Sequence, residues 1–118
     1  MKCLHADQYR LTDSNSNELI LVKVDLLLAR LKVDSPEYFV DPDTENTSSV
    51  ARIKEVVNFT KRNLYRKDYF EPVLMGSESD KIGVFDGRHR IAGAKKMGYT
   101  HLYIEVPRDK KFLFKVLV

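Results

Sequence analysis

The sequence holds a single cysteine, Cys3, no tryptophan, five glycines and four prolines among 118 residues. One cysteine excludes an intrachain disulfide and any multi-cysteine zinc or iron–sulfur site, and it points to a reducing compartment. The scarcity of glycine and proline excludes collagen-like and linker-like chains. No apolar run approaches the roughly 18 residues that suggest a membrane span, and the opening MKCLHADQYRL lacks the apolar stretch of a secretory signal. The expectation is a cytoplasmic protein that does not enter a membrane.

What is present suffices for one hydrophobic core. A chain of this length buries roughly two thirds of the surface that its unfolded form exposes, and the 43% hydrophobic content includes six Tyr and six Phe. No internal repeat divides it, so residues 1–118 read as a single domain. Net charge is only +3, but its distribution is uneven. Residues 1–50 carry five Lys and Arg against nine Asp and Glu, and residues 51–118 carry fifteen against eight. The basic half contains Arg52, Lys54, Lys61, Arg62, Arg66 and Lys67 around one expected helix, then Arg88, Arg90, Lys95 and Lys96 around another. If they share a face, Lys54, Lys61, Arg62, Arg66 and Lys67 are candidates for nucleic-acid contact, since clustered cations attract polyanions; ordinary solvation is the competing explanation.

Hydrophobic periodicity predicts the elements. Leu4–Leu11 gives a weak edge strand, and Asp13–Asn17 is a polar turn. Leu19–Val24 is apolar and partly β-branched, as a buried strand requires, with Asp25 capping one or two helical turns over Leu26–Leu28. The Asp34–Ser49 segment, with two prolines and many turn formers, reads as a long loop: a lid, a recognition loop or a simple insertion. Ser49 is expected to cap a helix over Val50–Leu64, with Val50, Ile53, Val57, Thr60 or Lys61, and Leu64 inward. A hairpin follows, with strands over Glu71–Met75 and Lys81–Phe85, a connection at Gly76–Asp80, and Gly83 marking either a bulge or a close backbone approach. A second helix spans Arg88–Met97 and stops at Gly98. Strands over Thr100–Val106 and Lys111–Val118 complete an α+β arrangement, a small mixed sheet with packed helices.

The chemically loaded run is Phe85-Asp86-Gly87-Arg88-His89-Arg90, where a strand ends and a helix starts. First-turn amides of a helix point outward unpaired, and the dipole adds positive potential, which together make an anion cradle. Gly87 permits a tight turn. Arg88 and Arg90 each offer the forked geometry that binds phosphate through two parallel bonds. Asp86 caps the helix or serves chemistry, and His89 either donates to a phosphate, acts as general acid or base, or fixes the loop. Tyr65, Tyr69, Phe70 and Tyr99 offer stacking surfaces beside the basic helix, or pack.

The stretch Val84–Tyr99, VFDGRHRIAGAKKMGY, resembles the central signature of the ParB/sulfiredoxin-like superfamily, in which a strand delivers Asp-Gly-x-His-Arg into a helix of small apolar residues ending at Gly. The likeness extends more loosely over residues 19–106. It implies a ParB/sulfiredoxin-like fold and nucleotide phosphate bound at the loop matched by Gly87, Arg88, His89 and Arg90; any magnesium would arrive with the nucleotide, since carboxylate and phosphate oxygens suffice to hold it. That group includes partitioning proteins, sulfiredoxins, a free serine kinase and ParB-like nuclease-labelled proteins of phages and mobile elements. Sulfiredoxin places its catalytic cysteine where this chain has Arg88, so sulfinic acid reduction is not expected. A kinase-like reading needs a carboxylate base, for which Glu18 and Asp25 stand closest in chain order. The leading expectation is a phosphate- or nucleotide-binding ParB-like module acting on or beside nucleic acid, DNA included. The alternatives are a small phosphoryl-transfer, nucleotide-hydrolysing or nuclease enzyme using His89 and Asp86, and an inactive module that binds a protein partner.

Overall fold

Alternating Ile20 and Val22, and Leu102, Ile104 and Val106, place one apolar face on each of two strands, and these faces meet in one core. The computed structural model describes residues 1–118. Strands β1 (Asn17–Lys23), β2 (Val73–Glu78), β3 (Lys81–Asp86) and β4 (His101–Pro107) form one sheet in the order β1-β4-β2-β3. The β1–β4 and β2–β3 pairs are antiparallel and β4–β2 is parallel, so the sheet is mixed. With helices α1 (Val24–Asp34), α2 (Thr47–Arg66) and α3 (Arg88–Lys96), the class is α+β, as expected. No helix is long and apolar enough to cross a membrane.

Leu27, Leu28 and Leu31 of α1 and Ile91 and Ala94 of α3 cover the apolar face, together with Phe114 and Leu117. Each fully buried Leu, Ile or Phe side chain among these contributes about 1.5–3 kcal/mol. Helix α2 reaches the body through α3. The contact is close because Gly93 has no side chain: a Cβ there would lie 2.7 Å from Val56 Cγ1. This approach leaves α2 as one wall of an open cleft and the start of α3 as part of its lining.

On the opposite face of β4, Glu105 is wholly buried. Its Oε1 accepts the Thr12 amide at 2.8 Å, and its Oε2 accepts the Asp13 amide at 3.1 Å and the Asn17 side-chain amide at 2.7 Å. The polar turn at Asp13–Asn17 is thereby pinned to the central strand. Beside it Tyr9 packs edge-on to Tyr103, with ring centroids 5.9 Å apart.

Several boundaries differ from the sequence expectations for identifiable reasons. Leu4–Leu11 is not a strand; it forms a short 3-10 turn at Ala6–Gln8 and a single bridge from Tyr9 to Phe70. Asp25 lies in the first turn of α1 but no side chain caps that helix, which runs three turns because Leu31 also finds the core. Asn46, not Ser49, caps α2: its side chain accepts the Ser49 amide at 3.1 Å. The buried stripe of α2 is Ile53, Thr60 and Asn63, whereas Lys61 and Leu64 are exposed. Asn63 is held by donating to the Tyr69 carbonyl at 3.0 Å. The hairpin connection shrinks to Ser79-Asp80, with Ser79 left-handed. The bulge sits at Phe85, where the register slips between Leu74–Asp86 and Met75–Val84, and not at Gly83. Lys111–Val118 forms 3-10 turns, because Phe114 and Leu117, three apart, are the buried pair. The Asp34–Ser49 loop is partly ordered by a 3-10 turn at Pro36–Tyr38, by Phe39 packing on the core, and by Asp43 pairing with Lys96 at 3.0 Å.

Candidate functional site

The Asp-Gly step brings the chain off β3 and into α3. Gly87 takes φ +107°, a conformation that L side chains rarely adopt, and serves as the residue before the helix. Its carbonyl accepts the amides of Arg90 (2.9 Å) and Ile91 (3.3 Å), which closes the first turn. The Arg88 and His89 amides have no acceptor within the helix, and no side chain caps them. Of the two roles open to Asp86, capping α3 is therefore not the one it takes; its carboxylate turns toward Arg90, with Oδ2 3.5 Å from Nη2.

This turn lines an open cleft of about 1240 Å³, whose other walls come from α2, the segment leading into β2, and Tyr38. Arg52, Glu55, Phe59 and Arg62, spaced three or four apart, present one face of α2 to it. The two arginines of the motif behave differently. Arg88 Nη1 donates to the Glu37 carbonyl at 3.3 Å and has no carboxylate partner. Arg90 folds back: Nη1 donates to the Pro72 carbonyl at 3.2 Å, and Nη2 lies 3.4 Å from Glu71 Oε2 besides its contact to Asp86. Arg90 thus ties the turn to the start of β2, and Arg88 is the guanidinium that an anion can recruit without breaking an ion pair.

His89 lies between charges. Partial burial, reinforced by Arg88 and Arg52, holds its imidazole below the ordinary histidine range. It makes no hydrogen bond to Asp86, so those two residues do not form a preassembled acid–base pair. The carboxylates considered as kinase-type bases are elsewhere. Glu18 is held below its usual value by a hydrogen bond from Lys111, with Lys111 Nζ at 2.6 Å and Arg108 Nε at 3.5 Å. Asp25 pairs with Lys95 at 2.7 Å. Neither lines the cleft.

The expected nucleic-acid residues divide. Arg62 faces this cleft, with its guanidinium 5.5 Å from the Phe59 ring centroid, whereas Lys54 and Lys61 line a second cleft with Lys96 on another side of α2. Arg66 ends the helix and Lys67, at φ +60°, terminates it; both are exposed and line neither cleft. Of the aromatic residues singled out, Tyr69, Phe70 and Tyr99 line the first cleft, Phe70 as a buried residue, and Tyr65 does not. Arg52, Phe59 and Glu71 were missed as site residues; the spacings of seven from Arg52 to Phe59 and three from Phe59 to Arg62, which keep them on one helical face, are the signal that pairs the two on α2.

No three His, Cys, Asp or Glu side chains converge as a metal cage. Magnesium carried by a nucleotide needs only one or two carboxylates besides phosphate oxygens. Asp86, next to the turn, is the carboxylate that fits this part, and it would have to leave Arg90 to play it.

No family model, curated protein or solved structure matches the chain.

Proposed function

We propose that the chain is a phosphate- or nucleotide-binding module of ParB/sulfiredoxin-like type, acting on or beside nucleic acid. The observation that carries the reading is the uncapped first turn of α3 opening on a cleft next to Arg52, Arg88 and His89. Unpaired amides, a helix dipole and guanidinium groups without carboxylate partners favour a phosphate group there. Arg90 positions the turn. The missing contact between His89 and Asp86 favours binding over acid–base catalysis.

Calorimetric titration with ADP, ATP and inorganic pyrophosphate tests this. Binding is expected, with Arg88→Ala and Arg52→Ala each weakening it about tenfold or more, the size of a lost charge-assisted hydrogen bond. No binding of any of the three to the unaltered protein overturns the reading.

A pH dependence follows from His89. Its proton is disfavoured in the free protein and would be favoured beside a bound anion, so lower pH strengthens binding. Affinity for sulfate, which has no proton to exchange near neutrality, is expected to rise as pH falls through the value His89 takes in the complex. It should level off below the free-protein value, which lies under the ordinary value of about 6.5. His89→Gln should flatten the profile; an unchanged profile in that variant assigns the dependence to another group.

A further inference from the structure

The cleft carries more aromatic surface than one phosphate or one base can use. Phe85 is the bulged residue immediately before the Asp86-Gly87 turn and is 74% exposed. The bulge aims its ring over Gly76, where a Cβ would lie 2.2 Å from the ring, so the backbone of β2 supports the ring while most of it remains open. Phe59, 47% exposed on α2, and Tyr69, 57% exposed beyond the end of that helix, line the same cleft. Guanidinium groups stack on two of these rings, Arg62 on Phe59 and Arg10 on Tyr69 at 4.5 Å from the centroid.

Charge is placed to match. Of the carboxylates on the cleft wall, Glu71 and Asp86 are paired with Arg90, leaving Glu55 alone against Arg52, Arg62 and Arg88, none of which has an ion-pair partner. The volume of about 1240 Å³ exceeds the roughly 300–1,000 Å³ typical of small-molecule sites. Open rings interleaved with unneutralised guanidinium groups are the elements that bind a strand whose bases are unstacked from a partner; a duplex keeps its base faces covered.

We infer that this cleft takes a short single-stranded nucleic acid, one phosphate on the first turn of α3 and successive bases on Phe85, Phe59 and Tyr69. The inference rests on the anion site proposed above and extends it from a phosphate group to a strand.

Fluorescence anisotropy of a labelled oligothymidylate of about twelve nucleotides, a length within the range such sites cover, tests it alongside pyrophosphate and a duplex of equal length. The single strand is expected to bind more tightly than the duplex. The logarithm of its affinity should fall with log salt at a slope of about −2, for about three phosphates neutralised on a single strand. Phe85→Ala and Phe59→Ala should each weaken it about tenfold, Phe85→Tyr should retain it, and pyrophosphate affinity should not move in these variants. Both rings lie at the surface, so folding failure is avoidable, and Phe85→Leu serves if Phe85→Ala melts early. Pyrophosphate binding without oligothymidylate binding overturns this inference and leaves the anion site standing; binding of neither overturns both. Equal affinity for duplex and single strand, or indifference to loss of the rings, overturns the stacking assignment.

Discussion

Replacing Glu105 with alanine is expected to lower the folding free energy by about 3 kcal/mol or more, the largest stability effect of any single polar side chain in the molecule. The carboxylate has no solvent exposure and receives donors from Thr12, Asp13 and Asn17. Its loss leaves two backbone amides and one side-chain amide without their acceptor in a part-buried setting, and a donor that water does not reach costs about 1–3 kcal/mol. Relaxation of the Thr12–Asn17 turn toward solvent recovers part of this. Glu105→Gln keeps the volume but presents an amide nitrogen to donors, so it is expected to recover only part of the loss. Urea denaturation reads the effect as a lowered midpoint, and hydrogen exchange should show the Thr12 and Asp13 amides opening in Glu105→Ala while β4 remains protected. A midpoint unchanged within error would mean that the turn is held by the aromatic contacts around Tyr9 and not by Glu105.

That network illustrates which parts of the fold were legible in the sequence. Strands β1 to β4 announce themselves because alternating or continuous apolar residues serve one local period, and the turn from β3 to α3 does so because Asp-Gly and a terminating Gly98 are local signals. Glu105 inside the run IEV reads as a solvent-facing residue of a strand. Its burial depends on a turn 88 to 93 residues earlier, which no periodicity encodes. The C-terminal segment KFLFKVLV misleads for the opposite reason. Its apolar density suits a strand, but only Phe114 and Leu117 are buried, with Leu113 packed partly buried beside them, and a three-residue period satisfies the buried pair.

The candidate site divides along the same line. Gly87, Arg88, His89 and Arg90 are consecutive, so the motif could be read directly. The different tasks of Arg88 and Arg90 could not, because they follow from Glu71 and Pro72 on one side and Glu37 on the other. Arg52 and Phe59 join the site only because Gly93 lets α2 come close to α3. The basic residues of α2 could act together only if they shared a face. They are spread around the helix, because its buried stripe runs through Ile53, Thr60 and Asn63, leaving Arg62 on one side and Lys54 and Lys61 on another.

Gly87→Val is expected to have the largest effect on ligand binding, abolishing measurable pyrophosphate affinity while costing about 1–3 kcal/mol of stability. The backbone at φ +107° is open to glycine and strained for any residue with a Cβ, a cost of that order. A Cβ here also meets Val73 Cα at 3.3 Å and Arg90 Nη1 at 3.2 Å. The first of these is backbone and cannot swing away. Either the turn shifts, which re-aims the Arg88 and His89 amides, or Arg90 leaves Pro72 and releases Asp86 and Glu71 toward the anion. Both routes remove the cradle, which is why the binding loss should exceed that of Arg88→Ala. The comparison with Arg90→Ala separates the two routes. If displacement of Arg90 is the cause, both variants lose affinity together; if the amides are the cause, Arg90→Ala keeps more binding than Gly87→Val. Retention of full pyrophosphate affinity by a folded Gly87→Val protein would show that the first turn of α3 does not hold the anion.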